Sequence, residues 1–167
     1  NGKTGHRGDG YDADLPHFPA FHVGVATQHG YYPALGDFIH PERPRWKAMR
    51  GDAAGGAEMS IEMMRERIKA TRKAGARAAV YMHPVLLDGA SEIYRRYKDH
   101  VLVGEGGQPV PFGWAGPDTV GKSWRASLGS PEWRAHILQQ TEWIMELLEP
   151  DAITLDETFA GIGYDHH

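Results

Sequence analysis

The chain contains no cysteine, which excludes a disulfide framework and any zinc or redox centre built on thiolates. It has no apolar run approaching the roughly 20 residues that a membrane-spanning helix needs, and its opening residues, NGKTGHRGDG, lack the apolar core of a signal peptide. Positive charge is in short supply as well: 18 Lys and Arg face 22 Asp and Glu, a formal net charge of -4. That balance leaves no electrostatic footprint for nucleic acid or an anionic membrane, so neither is expected as a partner. Basic residues over 65–73 are interrupted by Glu66 and read as the solvated face of a helix. Gly2-Lys3-Thr4 lacks the spacing, the preceding strand and the following helix of a phosphate loop.

What is present is an ordinary globular composition, 41% apolar and 24% charged, enough for one core. The 167 residues fall short of the roughly 250 typical of a complete eight-stranded α/β barrel. With Asn1 in place of methionine, the expectation is a processed chain or an internal piece of a larger protein, folded as a single partial domain over residues 1–167. Residues 1–19, rich in Gly, Asp and His, show neither helical nor strand periodicity and are expected to be irregular.

Three strands alternate with helices along the rest. Residues 20–28 (AFHVGVATQ) read as the first strand, ending at Gln28 and His29. The long aromatic and proline-rich loop after it suits either a pocket wall or a structural role. Ser60 caps a helix in which Ile61, Met64, Ile68 and Thr71 keep helical spacing, with Arg72 and Lys73 in its last turn and Gly75 past its end. The second strand, residues 76–83, stops at His83 and Pro84. Residues 91–100 read as a helix with Ile93, Tyr94 and Tyr97 on one side, and residues 101–103 with 109–112 as a small hairpin. Trp114, Asp118, Trp124 and Arg125 then form a stretch suited to sugar: indole faces stack on pyranose C–H groups while Asp and Arg bond hydroxyls. Ser130 and Pro131 open a third helix, with Trp133, Ile137, Thr141, Ile144 and Leu148 on its buried face and Pro150 as its stop. The third strand, residues 152–155, leads into Asp156 and Glu157.

Strands joined by helical crossovers must run parallel. The fold expected is therefore α/β, a partial (β/α)8 barrel of the TIM type. Parallel strands of this kind carry chemistry at their C-terminal ends, which is where His29, His83, Asp156 and Glu157 fall. Alternation puts Asp156 on the side of Thr154, opposite Ile153 and Leu155, and Asp156 is the better placed of the two carboxylates.

The run Lys122-Ser-Trp-Arg125, Ser130-Pro-Glu-Trp133 and Pro150-Asp-Ala-Ile-Thr-Leu-Asp156-Glu157 resembles the (β/α)8 glycoside hydrolases of the α-galactosidase and related α-glycosidase type, over residues 121–158. In that group a helix leads into a strand whose terminal aspartate is the catalytic nucleophile. The resemblance implies hydrolysis of a glycosidic bond with retention, Asp156 as nucleophile, and His83, Asp118, Trp124 and Arg125 on the sugar. It implies no cofactor and a carbohydrate substrate. The sequence departs from the group at Ala152, often glycine there, and at Tyr81-Met82-His83, where a lysine-bearing strand is usual. The group's acid/base carboxylate lies on a later strand, so a chain of this length is expected to be catalytically incomplete. Glu157 is the second carboxylate present, but neighbours on a strand point to opposite faces.

Two other readings follow from the same residues. A metal-dependent barrel enzyme, a sugar isomerase or hydrolase, would use His29, His83, Asp156 and Glu157 as ligands, with Asp165-His166-His167 as possible additions, although no His-Glu-x-x-His motif is present. A non-catalytic carbohydrate-binding domain would use the aromatic loops. A partial barrel would also expose a sheet edge through which copies could associate.

Overall fold

The computed structural model describes residues 10–49, 56–112 and 123–157. In chain order the elements are α1 (Gly10–Asp14), β1 (Val25–Gln28), β2 (Arg45–Lys47), β3 (Glu58–Ser60), α2 (Ile61–Lys73), β4 (Arg77–Met82), β5 (Leu86–Asp88), α3 (Glu92–Tyr97), β6 (Pro111–Phe112), β7 (Ser123–Arg125), α4 (Pro131–Leu148) and β8 (Ala152–Leu155). The frame is a parallel three-stranded sheet in the order β1-β4-β8. The expected mixed α/β class with a parallel sheet is what forms.

Local chemistry sets the helix ends. Ser60, Ser91 and Ser130 each accept the backbone N–H three residues on, from Met63, Tyr94 and Trp133, satisfying donors that the first helical turn cannot pair. Pro131 follows at the first position of α4, where its missing N–H costs nothing. Both long helices cover one face of the sheet. On that face Ala78, Val80 and Met82 are fully buried, with Met64 and Ile68 of α2 and Trp133, Ile137, Ile144 and Leu148 of α4 in the same core.

The loop after β1 is a structural part of this core. Tyr31, Tyr32, Leu35, Phe38 and Ile39 are all buried, and the side-chain oxygen of Gln140 on α4 accepts the backbone N–H groups of Phe38 (2.8 Å) and Ile39 (3.1 Å). Gly36 sits at φ +87°, and a Cβ there would lie 2.9 Å from the Trp133 ring. Only glycine allows both that backbone and that approach. Strands β2 and β3 form an antiparallel pair, Arg45 beside Ser60 and Lys47 beside Glu58.

Two expectations need correction. Residues 10–17 are helical, α1 followed by a 3-10 turn over Leu15–His17, and not irregular; buried Tyr11 and Phe18 meet edge to face and anchor the segment. The first strand begins at Val25 and not at residue 20, because the chain turns at His22, whose φ is +51°, outside the strand region. The helical segment expected over residues 91–100 does form, as α over Glu92–Tyr97 and as 3-10 over Lys98–His100. The expected hairpin at 101–112 does form, with Gly104 N–H on Gln108 and Val110 N–H on Leu102, and β6 extends it onto β7 in a second sheet, order β5-β7-β6.

Candidate functional site

The register of the parallel sheet decides what its C-terminal ends present. Thr27 stands beside Ala79, and Tyr81 beside Thr154. Registered partners on adjacent strands point the same way, and alternate residues follow them. Thr27 and His29, Ala79, Tyr81 and His83, and Thr154 and Asp156 therefore share the face opposite the helices. Gln28 is registered with Val80 and buried at 3% exposure on the helix side, so of the two candidates at the end of β1 it is His29 that faces the site.

Asp156 follows β8, and its backbone N–H bonds the carbonyl of Met82 on β4 (3.1 Å). The last rung of the ladder thus fixes it. One carboxylate oxygen, Oδ1, accepts the Glu157 backbone N–H at 2.8 Å. The other, Oδ2, accepts a hydrogen bond from the Tyr81 hydroxyl. Tyr81 Oη also lies 2.8 Å from His83 Nε2. A phenol has one proton to give. Since that proton goes to Asp156, His83 must donate from Nε2, and a directed chain runs from His83 through Tyr81 to Asp156. The His29 ring packs on Tyr81 at a centroid distance of 3.8 Å.

These donors favour the charged form of the acid. The Tyr81 hydroxyl above all holds the Asp156 carboxyl below its ordinary titration range, against an upward push from burial, with smaller downward contributions from the Glu157 N–H and the nearby His83 and His29. Such a group is an anion at neutral pH. It suits attack on carbon or acceptance of a proton, and does not suit proton donation.

Glu157 behaves differently although it is adjacent. Its backbone is left-handed, at φ +58°, and its carboxylate lies 3.9 Å from the Arg125 guanidinium. Arg125 in turn sits over the Phe112 ring, 5.1 Å from its centroid. So β7 is tied to the end of β8 through a charged contact. Trp124, Arg125's neighbour on β7, points to the other side of its strand, where its ring stacks with Tyr94 at 6.3 Å and 23°. Trp114 and Asp118 lie outside the described residues, as do Asp165, His166 and His167. The structure therefore brings together His29, His83 and Asp156, sets Glu157 and Arg125 beside them as a pair, and gives Trp124 to a different contact.

Tyr81 is the member that sequence reasoning missed. It sits within an apolar run and is nearly buried itself, so it reads as core. The signal that could have found it is the period of two, since Tyr81 stands two residues before His83 and shares its face. As for a metal, no group of three or more His, Asp or Glu side chains among the described residues is arranged to hold one.

A scan against family models gives no match, and a search of curated proteins by sequence gives none. Among solved structures, the α-galactosidase of Thermus thermophilus in complex with p-nitrophenyl α-D-galactopyranoside matches 91% of this chain at TM-score 0.61 and 21% identity. A cycloisomaltooligosaccharide glucanotransferase of Paenibacillus matches 86% at TM-score 0.63 and 11% identity, and a maltogenic α-amylase of Thermotoga neapolitana 95% at TM-score 0.61 and 13% identity. The chain spans only 28%, 20% and 37% of those three proteins. The likeness is one of fold: a mixed α/β unit with a parallel sheet, of the kind that forms part of glycosidases.

Proposed function

We propose that this chain is part of a (β/α)8 glycoside hydrolase that acts with retention, with Asp156 as its nucleophile. The observation that carries the reading is the ionised Asp156 carboxylate at the C-terminal end of a parallel strand, held by Tyr81 and flanked by two imidazoles. That placement is where α/β barrels keep their chemistry. The fold shared with glycosidases supports it. In the proposed reaction Asp156 attacks the anomeric carbon while the leaving oxygen takes a proton, and water then releases the glycosyl ester. His29 and His83 border the sugar, and Arg125 holds Glu157 away from the nucleophile. Retaining pairs stand roughly 5–5.5 Å apart across the bond being cut. Glu157 directly follows Asp156 and is engaged by Arg125, so Glu157 is not the proton donor in this reading, and Asp118 and Trp114, the other residues proposed to meet the sugar, lie outside the described residues.

Glycosyl fluorides test this directly, because fluoride departs without a proton and no acid is needed. Incubation of the 167-residue chain with α-galactosyl or α-glucosyl fluoride is expected to add one hexosyl unit to the peptide containing Asp156, detected by mass spectrometry. Asp156→Asn is expected to lose the adduct and to reduce fluoride release by a factor on the order of 10⁴. Saturable sugar binding with no adduct on any residue would favour a binding domain. Zinc or manganese binding that His83→Ala abolishes would favour the metal enzyme.

A further inference from the structure

We propose that Tyr81 is a positioning residue for Asp156 that acts chiefly in the second half of the reaction, by stabilising the carboxylate as it leaves the glycosyl-enzyme. The proposal rests on the reading of Asp156 as nucleophile and goes beyond it, since nothing in that reading separates the two steps.

The geometry supplies the argument. Tyr81 is 8% exposed and is gripped from three sides: the His83 Nε2 donor behind it, the His29 ring against its face, and the Asp156 oxygen in front. Its proton is therefore aimed before any substrate arrives, and aiming it costs no reorganisation later. Other groups facing the carboxylate are the Glu157 N–H, His29 and His83, and Arg125 is occupied with Glu157.

A donor on a carboxylate affects the two steps in opposite ways. When Asp156 Oδ attacks the anomeric carbon, a C–O bond forms, fluoride leaves with its electron pair, and negative charge on the carboxylate falls. The Tyr81 hydrogen bond weakens along that path, so it does not assist this step. In the second step an incoming nucleophile bonds to the anomeric carbon, the ester C–O bond breaks, and its electron pair returns to Asp156. Charge grows on the oxygen that Tyr81 faces, and the hydrogen bond strengthens with it. Azide serves as that nucleophile without any proton transfer, so both steps balance without an acid.

Tyr81→Phe removes one oxygen and keeps the ring. Adduct formation from the fluoride is expected to be as fast as in the wild type or faster. Release by azide is expected to slow by about tenfold or more, so the adduct accumulates and kcat and KM fall together. Equal release rates in the two proteins overturn the proposal. So does slowed formation with unchanged release, the pattern expected of lost packing alone. If Tyr81→Phe melts far below the wild type, His83→Ala, which leaves the phenol but removes the donor behind it, should shift release in the same direction by less, and unchanged release there overturns the proposal equally. The absence of any wild-type adduct would instead remove the nucleophile reading. The role of Tyr81 is then judged by carboxyl NMR: Asp156 should titrate at higher pH in Tyr81→Phe, because the donor that favours its anion is gone, and an unmoved titration overturns the positioning role.

Discussion

The two faces of the β1-β4-β8 sheet are made from the same short strands, residue by alternate residue, yet they are built to opposite ends. The face carrying Ala78, Val80 and Met82 is sealed by α2 and α4 and has no exposure at all at these three positions. The opposite face carries hydroxyl, imidazole and carboxylate groups, with Thr27 and Thr154 open to solvent to different degrees and Tyr81, His83 and Asp156 joined by hydrogen bonds. One face holds the strands in place. The other keeps polar groups, and where these are buried, as Tyr81 and His83 are, they pair with one another and with Asp156, since burying polar side chains without partners costs several kcal/mol. Stability and chemistry are separated here by a single residue step.

That division can be tested by substitution, beginning where the effect should be greatest. Gln140→Leu fills the same space with an apolar group but strands two buried N–H groups, those of Phe38 and Ile39. A loss of about 2–6 kcal/mol is expected in denaturant unfolding. Met82→Ala opens a void under the sealed face and should cost about 2–5 kcal/mol. A loss below about 0.5 kcal/mol there would show the helices to be loosely seated and would break the comparison. Thr154→Ala, one strand over on the open face, should stay within roughly 0.5 kcal/mol by the same measurement. Should Thr154→Ala cost as much as Met82→Ala, the second face would have to count as core too.

How much of this was legible beforehand varied with the kind of signal. Helix α4 and strand β8 could be bounded closely because Ser130, Pro131 and Pro150 punctuate them and the apolar spacing between is regular. Asp156 could be placed on the open face because alternation is a local rule. The start of β1 could not be read, since the turn at His22 comes from backbone geometry that a histidine does not advertise, and the apolar run AFHVGV looks like strand throughout. The small helix at residues 10–14 escaped because its anchors, Tyr11 and Phe18, matter only through distant partners. Tyr11 bonds Thr71 of α2, sixty residues along the chain. The aromatic loop after β1 carried both readings equally until Gln140 and Trp133 could be seen holding it, and those contacts span about a hundred residues. Tyr81 was hidden for the opposite reason. Its neighbours in sequence are apolar, and only the hydrogen bonds to His83 and Asp156 give its hydroxyl a purpose.

The contact between Thr27 and Thr154 has a consequence of its own. Their hydroxyls lie 3.3 Å apart, although β1 and β8 are not neighbours and β4 runs between them. In a flat sheet, strands two places apart are separated by about 9.5 Å, too far for two such short side chains set diagonally to meet. The sheet must therefore curl toward its open side over Ala79, the small middle residue registered with Thr27. Curvature of this sign brings the strands nearer one another on the side that carries His29, His83 and Asp156. Ala79 offers only a methyl group at the middle-strand position beside Thr27, which leaves room for the two hydroxyls to meet above it.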